Sequence, residues 1–143
     1  MTTITLAQAN AIIAAAFKKA REAGFRPLGV SVLDTGGHLI AFQKEDGASF
    51  LRPQMSLGKA YGAMAVGMGS RKLEAFAKDR PYLVEGIMDA TGGRLIAVAG
   101  GVLIKTGDGA TIGAVGVSGD SSDNDEIAAI VGIEAAGFIA DGG

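Results

Sequence analysis

The segment Gly113-Ala114-Val115-Gly116-Val117-Ser118-Gly119 constrains this chain most, because it is apolar, rich in glycine and followed at once by the acidic cluster Asp120 to Glu126. An uninterrupted apolar run of this length indicates a buried strand. Glycines inside such a strand allow another backbone or a ligand to come close. Acidic residues at the start of the next element suit the positive end of a helix dipole. We therefore expect a buried strand that something approaches closely, followed by a well-capped helix.

A second segment, residues 31–42, predicts a β-hairpin. Its sequence is Ser-Val-Leu-Asp-Thr-Gly-Gly-His-Leu-Ile-Ala-Phe, and the pair Gly36-Gly37 permits the positive φ angles of a hairpin corner. Upstream, Thr5 and Gln8 form a capping-box pattern, and Gly24 is a suitable helix end. The first helix is therefore predicted between Thr5 and Gly24.

The remaining elements are predicted from caps, glycines and apolar runs. Residues from about 51 to 67 predict a helix with Pro53 in its first turn and small residues at helical spacing, so that it lies close on the sheet. Three further helices are predicted: one capped by Ser70 and running through about Lys78, one starting at Pro81 and ending before Gly92-Gly93, and a last one capped by Ser122. Strands are predicted at 28–33, 38–44, 94–98, 102–105 and 111–118.

This order of elements predicts the fold class. No crossover helix separates the last three strands, and strands joined by short turns are antiparallel. We therefore predict an α/β fold of the α+β type, profilin-like or PAS-like, in which an antiparallel sheet of about five strands carries helices on its faces. The 143 residues are enough for one hydrophobic core, so a single domain spanning residues 1–143 is expected.

Composition excludes several classes of function. The net charge is −2 and the pI about 5.3, which gives no basic surface for nucleic acid. The absence of cysteine excludes disulfides, thiolate metal sites and a cysteine nucleophile. Every apolar run is interrupted by Gly, Lys, Asp or Glu before it is long enough to span a membrane. The N-terminus lacks the features of a secretory signal. A cytoplasmic protein with no nucleic-acid or membrane partner is therefore expected.

A few side chains are candidates for ligand chemistry. His38 is the only histidine, so a metal site made of several imidazoles within one subunit is excluded. It is either a solvated strand residue or a single ligand, such as the axial ligand of haem iron. Arg52 and Lys59 lie seven positions apart, so they share one helix face. With the phenol of Tyr61 nearby, that face either holds a ligand bearing a carboxylate or is an ordinary solvated surface.

Several short motifs follow one another along the chain: Val32 to Phe42, Glu45 to Ala48, Lys59 to Tyr61, Gly100 to Ile104, Ile112 to Gly119 and Asp125-Glu126. In this order, and over almost the whole chain, they resemble the GlcG/HbpS haem-binding family. The C-terminal domain of PduO-type cobalamin adenosyltransferases belongs to the same group. The resemblance implies a profilin-like or GAF-like domain that assembles through dimers into higher oligomers. Some members of the family bind or degrade haem, and others are encoded alongside catabolic genes.

The leading hypothesis is a cytoplasmic GlcG-like protein, a homo-oligomer built from dimers, that binds haem or a similar planar anionic small molecule at its subunit edge. An imidazole or a phenol would hold the iron, and arginine or lysine side chains would pair with the propionates. The predicted cofactor site consists of His38, Arg52, Lys59, Tyr61, Arg80 and Tyr82, with His38 as the metal ligand.

Two alternatives stay open, so enzymatic activity is not decided by the sequence. In the first, the protein is a cofactor-free enzyme that acts on a small organic acid in a catabolic pathway. Lys59 and Arg52 would then bind the carboxylate, and Asp34 or Tyr61 would move a proton. In the second, the protein is an accessory subunit whose apolar surface stabilises a partner enzyme.

Overall fold

The computed structural model of the protein describes residues 2–143. Their helices and strands are, in chain order, α1 (Leu6–Ala23), β1 (Gly29–Leu33), β2 (Leu39–Lys44), α2 (Arg52–Val66), α3 (Ser70–Asp79), α4 (Pro81–Ala90), β3 (Gly101–Lys105), β4 (Thr111–Ser118), α5 (Ser122–Ala135) and β5 (Ile139–Asp141). All strand pairs are antiparallel, and the order across the sheet is β2-β1-β4-β3-β5. The predicted α+β class with an antiparallel sheet is confirmed.

Helices cover both faces of the sheet. α1 and α5 lie on one face and enclose the larger core, whose buried side chains include Ile12, Ile13, Val30, Val115 and Ile133. α2 lies on the opposite face over a smaller cluster of Leu33, Ala60, Ala63, Leu103 and Ala114. Within residues 2–143, every helix is too short or too polar to cross a bilayer.

Glycines set the short distance between α2 and the sheet. A Cβ at Gly116 of β4 would overlap the carbonyl oxygen of Ser56 and lie 2.9 Å from the amide nitrogen of Ala60. A Cβ at Gly101 of β3 would likewise overlap the carbonyl of Lys59. The element that approaches the glycine-rich strand closely is therefore the backbone of α2, and the predicted close approach is confirmed.

The predicted start of α1 is also confirmed. The hydroxyl of Thr5 accepts a hydrogen bond from the N–H of Gln8 at 3.2 Å, and the Gln8 side chain accepts one from the N–H of Thr5 at 2.9 Å. Gly24 ends the helix in the left-handed region with a φ of 70°. These local signals act within one turn, which is why the sequence alone identifies them.

Two predicted caps need correction by one residue. Ser70 lies in the first turn of α3, and its Oγ accepts a hydrogen bond from the N–H of Gly101 at 2.6 Å. It therefore joins α3 to β3 and does not cap the helix. The last helix is capped by Ser121, whose Oγ accepts from the N–H of Asn124 at 3.1 Å, and Ser122 is its first residue.

The predicted strand at residues 94–98 is wrong. This segment crosses α2, and the N–H of Ile96 donates a hydrogen bond to the carbonyl of Gly58 at 3.1 Å. The fifth strand of the sheet is β5, which pairs with the edge of β3. Residues 94–98, which we call the crossing segment, therefore do not join the sheet. They form one wall of a surface hollow.

Candidate functional site

An apolar hollow of about 390 Å³ opens beside the tip of the β1–β2 hairpin. The hairpin tip, the outer side of α2 and the crossing segment form its walls. Its lining includes Gly37, Leu39, Leu57, Tyr61, Arg94 and Ile96. Most of these side chains are apolar, so the hollow suits a ligand with an extended hydrophobic surface.

Gly58 of α2 makes room for the wall of this hollow that the crossing segment forms. A Cβ at Gly58 would overlap the side chain of Ile96, so only glycine lets the crossing segment lie this close to α2. Leu95, the residue before Ile96, is fully buried against Leu73 and Val84 of α3 and α4. The wall of the hollow is thus held by α3 and α4 behind it.

The single charge on the lining comes from Arg94. Its guanidinium carbon lies 5.8 Å from the centroid of the Tyr61 ring, within the range of a cation–π contact. Arg94 is not among the site residues predicted from the sequence. The Gly92-Gly93 pair just before it was the available signal, because both residues have positive φ angles and turn the chain onto α2.

His38 lies between two lining residues of the hollow, Gly37 and Leu39. Its side chain is 79% exposed, and its Nδ1 is 3.2 Å from the Asp34 carboxylate. Burial raises the pKa of the Asp34 carboxyl, but hydrogen bonds from the backbone N–H groups of His38 and Gly36 outweigh it and leave that pKa below its ordinary value. The imidazole therefore faces an ionised carboxylate.

Arg52 lies at a different place, in a polar hollow of about 460 Å³ that Arg26 and Ser49 also line. Its Nη1 donates a hydrogen bond to the Oγ of Ser118 at 2.6 Å. Its Nε is buried and has no hydrogen-bond partner within residues 2–143. The Arg26 side chain pairs with Asp120 at the same hollow, at 3.5 Å.

Lys59 shares a helix face with Arg52, as predicted, but that face is turned to the sheet. The Lys59 ammonium lies 3.0 Å from the Asp125 carboxylate and 3.0 Å from the carbonyl oxygen of Val117. Both side chains are almost fully buried. Because this ammonium is already paired inside the protein, we do not retain Lys59 as a group that binds an external ligand.

Arg80 and Tyr82 lie at the junction of α3 and α4, and neither lines the hollow beside Tyr61. Arg80 pairs with its neighbour Asp79 at 3.6 Å, and Tyr82 is 70% exposed. The structure therefore does not bring the predicted residues into one pocket. Of the six, it places only Tyr61 in the lining of the hollow; His38 is not a lining residue but is the chain neighbour of two of them, Gly37 and Leu39.

Comparison with known proteins gives the chain its family. The sequence model of the family described as "Haem degrading protein HbpS-like" matches residues 4–134. The chain is 33% identical over 129 residues to a 15.0 kDa protein of the dhaT-dhaS intergenic region of Citrobacter freundii, covering 90% of this chain and 89% of that protein.

Two solved structures share the architecture. The Klebsiella pneumoniae protein ORFY has a TM-score of 0.86 at 30% identity, over 96% of this chain and 92% of its own. The PduOC:haem complex has a TM-score of 0.84 at 22% identity, over 96% of this chain and 97% of its own. The second likeness shows the fold alone. With the family match over most of its length, this chain belongs to the HbpS-like family.

Proposed function

We propose that this protein binds haem, or a similar planar anionic molecule, in the hollow beside Tyr61. The observation that carries the proposal is an apolar hollow with one guanidinium on its lining, and the only histidine of the chain lies in sequence between two of the lining residues, Gly37 and Leu39. The description of the family as haem-degrading and the haem complex of PduOC support it.

The residues of the hollow fit a porphyrin in three ways. Leu57 and Ile96 offer apolar walls, and the Tyr61 ring offers an aromatic surface for stacking. Arg94 offers a guanidinium to a propionate. Residues 2–143 contain no group of three or more His, Asp or Glu side chains arranged to hold a metal ion. A porphyrin needs no such group, because it supplies most of the iron ligands itself.

The roles of the residues follow from these positions. His38 would hold the iron, Arg94 would pair with a propionate, and Leu57 and Tyr61 would exclude water from the porphyrin face. Bound haem would supply an iron whose pocket polarity decides among oxygen binding, oxygen activation and electron transfer. The exposed imidazole of His38 is able to reach a ligand without moving any buried group.

Hemin titration followed by absorbance tests the proposal. The wild-type protein is expected to give a saturable Soret band, and His38→Ala to shift that band and weaken binding. Arg94→Gln is expected to weaken binding about 10- to 100-fold, because it removes a charge-assisted hydrogen bond worth about 1.5–3 kcal/mol.

Arg80→Gln is the matched control, since it removes the same charge away from the hollow. It is expected to bind hemin like the wild type. Equal losses in Arg80→Gln and Arg94→Gln would mean that positive charge acts nonspecifically. An unchanged spectrum in His38→Ala would remove His38 as the iron ligand.

The alternative of an enzyme for a small organic acid has less support. It required Lys59 and Arg52 to bind one carboxylate together, and the Lys59 ammonium is buried against Asp125. Arg52 alone still faces a polar hollow. The cytoplasmic location, the catabolic operon and the single domain over residues 1–143 stay predictions.

We further propose that the protein is a homo-oligomer built from dimers. Phe50 and Leu51, just before α2, support this because they are large apolar side chains that are 89% and 44% exposed. Light scattering during gel filtration is expected to give a mass well above 14.4 kDa. Phe50→Asp is expected to lower that mass, and Leu6→Asp, at another exposed apolar site on α1, is not. A wild-type monomer at all concentrations would contradict the proposal.

A further inference from the structure

The tip of the β1–β2 hairpin holds the Asp34 carboxylate in a fixed orientation. One oxygen, Oδ1, accepts hydrogen bonds from the N–H groups of Gly36 and His38, each at 2.9 Å. The other, Oδ2, is the hydrogen-bond partner of Nδ1 of His38 at 3.2 Å, and Oδ1 lies at the same distance from that nitrogen. The turn itself therefore aims a carboxylate oxygen at one particular nitrogen of the only imidazole in the chain.

This contact selects a tautomer of His38. An ionised carboxylate only accepts hydrogen bonds, so Nδ1 must carry the proton for the contact to be favourable. A neutral imidazole has one N–H group, which leaves a lone pair on Nε2. The side chain is 79% exposed, so Nε2 is open to a ligand.

We propose that Asp34 is a positioning residue that holds His38 as the Nδ1–H tautomer and thereby presents the Nε2 lone pair to the haem iron. The iron part of this inference rests on the proposed function, whereas the tautomer is a property of the protein without haem. Histidines that ligate metals almost always donate their other N–H to a carboxylate, a carbonyl or water.

The Asp34→Asn variant tests the tautomer. The amide oxygen of asparagine is able to take the place of Oδ1 and keep both turn hydrogen bonds. Its NH₂ group then faces Nδ1 as a donor, which favours the Nε2–H tautomer and removes the lone pair that would bind iron. An aspartate-to-asparagine change next to a catalytic histidine is known to act in this way, by stabilising the wrong tautomer. Thr35→Ala, in the same turn, is the matched control.

The measurement is a long-range ¹⁵N–¹H correlation spectrum of the imidazole in haem-free protein at pH about 8, above the ordinary histidine pKa of about 6.5. The single histidine makes the signals unambiguous. Wild type and Thr35→Ala are expected to show a protonated Nδ1 and a bare Nε2, and Asp34→Asn the reverse. A protonated Nε2 in the wild type, or an unchanged tautomer in Asp34→Asn, would overturn the inference.

Hemin titration of the same proteins tests the iron part. Asp34→Asn is expected to weaken hemin binding about 10- to 100-fold, as usual when the partner of a metal-binding histidine is changed. A reversed tautomer with unchanged hemin binding would overturn the claim that Asp34 serves the iron. If His38→Ala also binds hemin unchanged while the tautomers are as expected, the proposed iron ligand has failed and the orienting role of Asp34 stands.

Discussion

The Lys59→Met variant is expected to lose about 3–5 kcal/mol of unfolding free energy, because it leaves a buried carboxylate without its counter-ion. In the wild type, the Lys59 and Asp125 side chains are 3% and 2% exposed, and their charged atoms are 3.0 Å apart. This pair joins the middle of α2 to the start of α5 across the end of β4. Its loss would thus weaken the contact between three elements.

The Asp125 carboxylate has few other partners. Burial raises the pKa of Asp125, and the Lys59 ammonium and the backbone N–H of Asp120 oppose that rise. The N–H of Asp120 donates to Asp125 at 2.9 Å. Without the ammonium, backbone N–H groups alone would have to stabilise the ionised carboxylate in a place that water does not reach.

Urea denaturation, with the dependence of unfolding free energy on urea concentration held equal for all variants, gives the change in unfolding free energy. Lys18→Met is the matched control, because Lys18 is 79% exposed and its contact with Glu22 is 4.0 Å long. That change is expected to alter stability by less than about 0.5 kcal/mol. The double variant Lys59→Met/Asp125→Leu is expected to recover part of the loss. Equal urea midpoints for Lys59→Met and Lys18→Met would contradict the claim that Asp125 needs the Lys59 ammonium as its counter-ion.

Gly116→Ala is expected to cost about 3 kcal/mol, the upper end of the usual range for overpacking a core. The added methyl group would overlap the carbonyl oxygen of Ser56 and crowd the amide of Ala60. Both neighbours are backbone atoms of α2, so no side chain is able to rotate away. The helix would have to move off the sheet, and the smaller core beneath it would loosen.

Gly107→Ala is the control for Gly116→Ala, because a Cβ at Gly107 meets nothing within 4 Å. Its stability is expected to change by less than about 1 kcal/mol, and a gain is reasonable because alanine restricts the unfolded chain. Unfolding followed by circular dichroism measures both variants. A loss below about 1 kcal/mol in Gly116→Ala would mean that α2 is able to shift without harm.

Much of the fold was predictable because its signals are local. The capping box at Thr5, the positive φ angle of Gly37 at the hairpin tip and Pro53 at the start of α2 each act within a few residues. α2 does lie close on the sheet as predicted, but the helix glycines on which that prediction rested, Gly58 and Gly62, face Ile96 and Leu95 of the crossing segment. The close approach to the sheet is allowed by glycines of the strands, Gly101 and Gly116.

The parts that could not be predicted depend on distant contacts. Residues 94–98 are as apolar as a strand, but they cross α2 because Gly58 leaves room for Ile96. β5 has only three residues, too few to show the alternation of apolar and polar residues that is typical of a strand. It forms by pairing with the edge of β3. Neither of these contacts can be predicted from the residues next to it in the sequence.

The candidate site was predictable only in part, for the same reason. Helical spacing correctly placed Arg52 and Lys59 on one face, yet it could not tell that this face meets the sheet, where Asp125 pairs with Lys59. His38 stood out because it is unique in the sequence. Arg94 could not be singled out, because its position over Tyr61 depends on where the crossing segment lies.

A crystal structure of the protein grown with stoichiometric hemin would show whether haem binds in the hollow beside Tyr61. We expect a porphyrin in the hollow between the hairpin tip and the crossing segment, stacked near Tyr61, with Arg94 at a propionate and His38 as the protein ligand of the iron. A porphyrin bound at another surface, or a hollow that stays empty while hemin is present in excess, would contradict it.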